Sequence, residues 1–111
     1  MATLSTHVLD SGTGRPAEGV TVVLERSAGD WTVLARALTD PDGRVRDWGS
    51  DVIVMPGIFR LTFGTGEWFE QRGRECFYPE VTVTFRITDA EAHFHVPILL
   101  SAYAYSTYRG S

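Results

Sequence analysis

Apolar and polar positions alternate with period two over much of this chain, which predicts strands. After Pro79, Val81, Val83, Phe85 and Ile87 point one way while Thr82, Thr84 and Arg86 point the other, the pattern of a half-buried strand. Near the start, Leu4, Thr6 and Val8 alternate against Ser5, His7 and Leu9. Segments 19–27 and 31–39 are short, rich in β-branched residues and separated by Ala28, Gly29 and Asp30, so they predict a hairpin. A D-P-D-G turn at 40–43 precedes a third apolar run at 57–63. Segments 92–100 and 103–109 read as the last two strands. The only helical candidate is 65–73, two turns long, with Thr65 placed to cap its start and Gly73 to end it. Together these predict an all-β chain, a two-sheet β-sandwich of seven or eight short strands with one short helix.

Composition narrows the class. A chain of 111 residues fits one domain, expected over 1–111, and has room for one two-layer core. No apolar run approaches the roughly 20 residues of a membrane span, so no membrane partner is expected. The N-terminus lacks the basic start and apolar stretch of a secretory signal, which makes the cytoplasm the expected location. Cys76 is the only cysteine, which excludes an intrachain disulfide and a thiolate metal site. The net charge is −4 and the ten basic residues are all scattered arginines, so nucleic acid is not an expected partner.

Alternation along 92–100 places Phe94, Val96 and Ile98 on one face, and His93 and His95 on the other with Pro97 and Leu99. If the apolar face is core, two histidines stand together on the outer face, where Thr, Lys or Glu is ordinary. Such a pair suits a site or an interface, although solvated histidines and a metal site also fit it. His7 in the first strand and Arg44 after the 40–43 turn are each compatible with a solvated role. A guanidinium at a loop end can also grip a planar polar substrate. Chain ends usually fray, yet Tyr103, Tyr105 and Tyr108 carry strand character nearly to the last residue. This predicts a packed end that delivers Arg109, Ser111 and a carboxylate to a fixed place.

Several motifs resemble the 5-hydroxyisourate hydrolases, the enzymatic relatives of transthyretin. They are L-S-T-H-V-L-D at 4–10 with G-R-P-A at 14–17, D-G-R at 42–44, and F-Y-P-E at 77–80. The most specific are H-F-H-V-P-I-L-L-S at 93–101 and Y-S-T-Y-R-G-S at 105–111. The resemblance spans the whole chain and implies a transthyretin-like fold. It implies hydrolytic ring opening of 5-hydroxyisourate to 2-oxo-4-hydroxy-4-carboxy-5-ureidoimidazoline, a step of urate degradation, with no cofactor and no metal. It also implies a homotetramer, a dimer of dimers, whose central channel is lined by the outer faces of the last strands. By the same resemblance His7, Arg44, His95 and Ser111 are catalytic, and Tyr108, Arg109 and Gly110 bind substrate. His93 holds a family position of less defined role. The chain departs from its relatives at Ala102 and Ala104, where they carry Pro and Gly, which implies a looser last connection.

The implied reaction needs a base for water, a cation or donors for the developing oxyanion, and groups that orient a flat ring. His7 and His95 are the candidate bases, Arg44 the polarising cation, and Ser111 a hydroxyl that orients water or substrate. Two rivals are a non-catalytic transthyretin-like carrier of small ligands and a hydrolase whose histidines hold zinc.

Overall fold

A computed structural model describes residues 2–111, among which nine strands and one helix are found. Strand β1 (Thr3–Asp10) is flanked on one edge by two short strands, β2 (Arg15–Pro16) and β5 (Arg44–Val45), and on the other by β8 (His93–Leu100). The hairpin partner of β8 is β9 (Tyr105–Thr107), which completes the first sheet. The second sheet runs in the order β4 (Asp30–Leu38), β3 (Thr21–Ala28), β6 (Gly57–Phe63), β7 (Val81–Ile87). All pairings are antiparallel except β1 with β8, which run parallel in a register that sets Ser5 opposite His95.

The two sheets enclose the core the alternation predicts. Leu4, Val8, Phe94, Val96, Ile98 and Leu100 of the first sheet meet Val22, Leu24, Phe59, Leu61, Phe63 and Ile87 of the second, all buried. Thr6 is also buried, because its hydroxyl donates to the Val96 carbonyl at 2.6 Å and so leaves no unsatisfied polar group inside. The 19–27 and 31–39 segments form the expected hairpin, turning at Gly29 with φ 86°. The architecture is the expected two-sheet sandwich. Its strand count rises to nine because the two-residue strands β2 and β5 are too short to carry a period.

Three local expectations need correction. Helix α1 (Thr65–Glu70) is six residues long, and its N-cap is Gly64, with no side-chain cap. Thr65 is buried inside the first turn instead, its hydroxyl reaching the Tyr78 carbonyl at 3.4 Å. Gly73, at φ 65°, does close the turn that follows, where the Arg74 amide donates back to the Phe69 carbonyl. The last strand spans Tyr105–Thr107 rather than 103–109, because residues 101–104 form a turn in which the Ser101 amide donates to the Ala104 carbonyl at 2.9 Å. The tyrosines are largely exposed rather than buried, Tyr103, Tyr105 and Tyr108 at 61%, 40% and 58%, although the Tyr105 ring meets Tyr78 edge-on at 5.0 Å.

That last turn is nonetheless held. Phe77 donates its amide to the Ala102 carbonyl at 2.8 Å and the Tyr103 hydroxyl donates to Glu75 at 2.7 Å. No non-glycine residue among those described has a positive φ, so Ala104 occupies its position without strain. At the same end of the sandwich, Arg74 donates to both oxygens of the buried Asp10 carboxylate, at 2.6 and 3.2 Å. The pair ties the turn after α1 to the end of β1.

Candidate active site

Three strands set the candidate groups side by side. The β1–β5 register pairs His7 with Arg44, and the β1–β8 register pairs Thr3 with His93, Ser5 with His95 and His7 with Pro97. Partners opposite one another share a face of the sheet. His93 and His95 therefore stand on the outer face, as the alternation predicts, while Phe94 and Val96 are buried. Their rings stack with centroids 6.4 Å apart.

Arg44 is placed by the D-P-D-G turn. One carboxylate oxygen of Asp40 accepts the backbone amides of both Asp42 and Arg44, each at 2.9 Å, which fixes the loop where β5 begins. Gly43 has φ 77°, and a β-carbon there would lie against the Val8 carbonyl oxygen, so the turn demands glycine twice over.

The chain end arrives beside His95. The Gly110 amide donates to the His95 carbonyl at 2.8 Å in an isolated antiparallel bridge that continues the β8–β9 ladder past Thr107. Ser111 then joins Ser5, Arg44, Arg46, His93 and His95 around an open cavity of about 310 Å³. His7 is not among the lining residues and stands next to Arg44 across the β1–β5 pair. The tail divides between two cavities. Arg109 holds its guanidinium 4.5 Å above the Phe94 ring and, with Tyr108, lines a second cleft of about 240 Å³ that Phe85 and His95 share. Thus Arg44, His95 and Ser111 come together with His7 adjacent and Gly110 behind. Tyr108 and Arg109 do not face that cavity in the single chain.

The surroundings of both candidate bases lower their pKa below the ordinary histidine value of 6.5. The pKa of His95 is lowered by burial first, then by the charge of Arg44 and the neighbouring His7 and His93, with the Ser5 backbone opposing in part. That of His7 is lowered by burial and then by Arg44, against opposing influences from the Asp42 backbone, Asp40 and Asp42. Cations and partial burial thus favour imidazole over imidazolium, the state a base requires.

Sequence reasoning missed three polar lining residues, Thr3, Ser5 and Arg46. Arg46 was legible, since R-V-R at 44–46 sets both guanidinium groups on one face by period two. Thr3 and Ser5 were not, because their significance comes from β8, some 90 residues away. Among the described residues no three of His, Cys, Asp and Glu are grouped to ligate a metal, and no helix is long and apolar enough to cross a membrane.

Comparison with known proteins places this geometry in context. The model described as the HIUase/Transthyretin family matches residues 4–110. The 5-hydroxyisourate hydrolase of Salmonella typhimurium is 48% identical over 109 residues, covering 97% of this chain and 80% of that protein. The solved 5-hydroxyisourate hydrolase of Klebsiella pneumoniae superposes with a TM-score of 0.87 at 42% identity, covering 100% of this chain and 94% of that one. Sea bream transthyretin in complex with thyroxine gives a TM-score of 0.91 at 25% identity, over 97% of this chain and 94% of that one.

Proposed function

The chain belongs to the HIUase/Transthyretin family, and from that membership we propose that it is a hydrolase that opens the six-membered ring of 5-hydroxyisourate to 2-oxo-4-hydroxy-4-carboxy-5-ureidoimidazoline. In this reading it acts in urate degradation in the cytoplasm, as one hydrolase domain over 1–111, with no cofactor. The observation that carries the proposal is the meeting of Arg44, His95 and Ser111, from three separate parts of the chain, around one outer-face cavity.

The chemistry follows from those groups. Water attacks the ring carbonyl carbon and its proton passes to a neutral histidine; the carbonyl oxygen becomes an oxyanion. Collapse of that oxyanion breaks the C–N bond, and the departing nitrogen takes a proton back. His95 is the base, because its ring lines the cavity, and His7 beside Arg44 orients the water or returns the proton. Arg44 offers a charged planar fork to the developing oxyanion or to an anionic ring nitrogen. Arg46 adds a second positive charge on the wall where a carboxylate product forms. The Ser111 hydroxyl holds the water or substrate.

The working form is a homotetramer, a dimer of dimers. The cavity is open to solvent in one chain, and Tyr103, Tyr105 and Tyr108 in and around β9 are exposed, so a facing subunit would cover them, close the cavity and exclude water. Tyr108 and Arg109 then hold the tail in place. A carrier of small ligands, the alternative within the same fold, has no use for two neutral histidines beside two arginines.

Product identification tests the reading. Carbon-13 NMR of freshly generated 5-hydroxyisourate should reveal a carboxylate signal of the ring-opened product building up within the mixing time when the protein is present. Disappearance of substrate with no carboxylate species would contradict hydrolysis.

A further inference from the structure

Four groups on the floor of the cavity form a continuous chain. Thr3 Oγ1 lies 2.6 Å from His93 Nδ1, Ser5 Oγ lies 3.0 Å from His93 Nε2, and the same Ser5 Oγ lies 2.8 Å from His95 Nδ1. Ser5 is buried between the two rings, and the parallel β1–β8 register holds it opposite His95. A hydroxyl has a single proton to donate. Ser5 can therefore donate to one ring only and must accept from the other, which couples the protonation of the two histidines.

Two arrangements satisfy every contact. In one, His95 Nδ1–H donates to Ser5, Ser5 donates to His93 Nε2, and His93 Nδ1–H donates to Thr3; His95 Nε2 is then bare. In the other every bond is reversed, and His95 presents Nε2–H. With Nδ1 committed to Ser5, Nε2 is the nitrogen left for the cavity, so the polarity of the chain decides whether His95 meets water as an acceptor or as a donor.

We propose that Ser5 is a positioning residue which, with His93 behind it, holds His95 in the Nδ1–H form and so presents a bare Nε2 to the attacking water. This rests on the base role proposed for His95 and assigns His93 a purpose: its Nε2 accepts the Ser5 hydrogen bond. Thr3, exposed at the end of the chain of hydrogen bonds, accepts the last one from His93 and can exchange its own proton with solvent. No net charge moves when the chain is set, since each hydrogen bond only changes its direction. Ser5 and His93 act through His95 and need not touch substrate.

The test reads the ring nitrogens directly and needs no substrate. Long-range proton–nitrogen-15 correlation on the labelled full chain has three histidines to assign, and His7→Gln and His93→Gln variants identify them. In the wild-type protein, at a pH where His95 is neutral, its Nδ1 should be protonated and its Nε2 bare. Ser5→Ala should abolish that preference. His93→Ala, at an exposed position outside the core, should move His95 towards Nε2–H, because Ser5 is then free to donate to it. In turnover, Ser5→Ala should lower kcat by about tenfold or more with KM changed less than about threefold. Adding His93→Ala to Ser5→Ala should cost little more, roughly within a factor of two, since the second residue acts through the first. An Nε2–H tautomer for His95 in the wild type, or one unchanged by both substitutions, would overturn the proposal. Failure of the wild type to turn over 5-hydroxyisourate would instead overturn the function and leave the tautomer result standing.

Discussion

Gly110 and His95 are in contact through both backbone and ring: the Gly110 amide donates to the His95 carbonyl at 2.8 Å, and a β-carbon built on Gly110 would lie 2.5 Å from His95 Cδ2. Glycine is required there by close approach. Gly110→Ala should push the ring out of register with the cavity and cut kcat/KM by at least about tenfold. Thermal unfolding should change little, because the end of the chain lies outside the core. Steady-state kinetics beside a melting curve checks this; an active Gly110→Ala protein would mean that the tail does not set the ring.

Arg44→Ala and His95→Ala should each lower kcat/KM by roughly 10²-fold or more while leaving circular dichroism unchanged, since one removes oxyanion stabilisation and the other the base. His93→Ala should be milder than His95→Ala, because it acts at one remove. The order of the two histidine variants is the informative comparison, and a more damaging His93→Ala would make His93 the base and His95 its support.

Activity should rise with pH through a limb that lies below the ordinary histidine value of 6.5. The sign follows from the base, which works only when neutral; burial and then Arg44 both favour the neutral ring, so it loses its proton at lower pH than a free histidine. Removing the positive charge, as in Arg44→Ala, should move the limb up towards 6.5 on whatever activity remains. A pH–rate profile of both proteins reads this, and an unmoved limb would show that Arg44 does not tune His95.

Stability has its own polar anchor away from the site. Asp10 has its carboxylate 2% exposed and bonded bidentately by Arg74, which is one-third exposed. Burial alone would push its pKa up, but the hydrogen bonds from Arg74, Thr13 and the Gly12 amide hold it below 3.8. A carboxyl lowered in the fold contributes stability above that pH and loses it as the pH falls through the folded value. Arg74→Ala should therefore destabilise by about 1–3 kcal/mol at pH 7, discounted for the exposure of Arg74, and the deficit should shrink under acid conditions. Urea unfolding at pH 7 and pH 3 measures both parts.

The sequence made the faces legible and left the partnerships hidden. Period two placed His93 and His95 outside and Phe94, Val96 and Ile98 inside, because side-chain direction along a strand is a local property. The motif resemblance drew His7, Arg44 and the tail together. The link from Ser5 to His95 depends on a parallel register between β1 and β8, and no local pattern records which distant strands pair or in what register. The direction of Arg109 was hidden for a related reason. It depends on where β9 begins after the 101–104 turn, and the alternating tyrosines around that turn disguised it as strand. Thr65 looked like a helix cap because Thr favours that role, and core packing at the β6–α1 junction outweighed the preference.

The most direct measurement follows the ultraviolet decay of freshly generated 5-hydroxyisourate, made from urate with urate oxidase, in buffer alone, with the purified protein, and with its His95→Ala variant. The account predicts decay in the presence of the protein that is many times faster than the spontaneous rate and proportional to protein concentration, with about 10²-fold or more of that acceleration lost in the variant. Decay at the spontaneous rate with the intact, folded protein would contradict it.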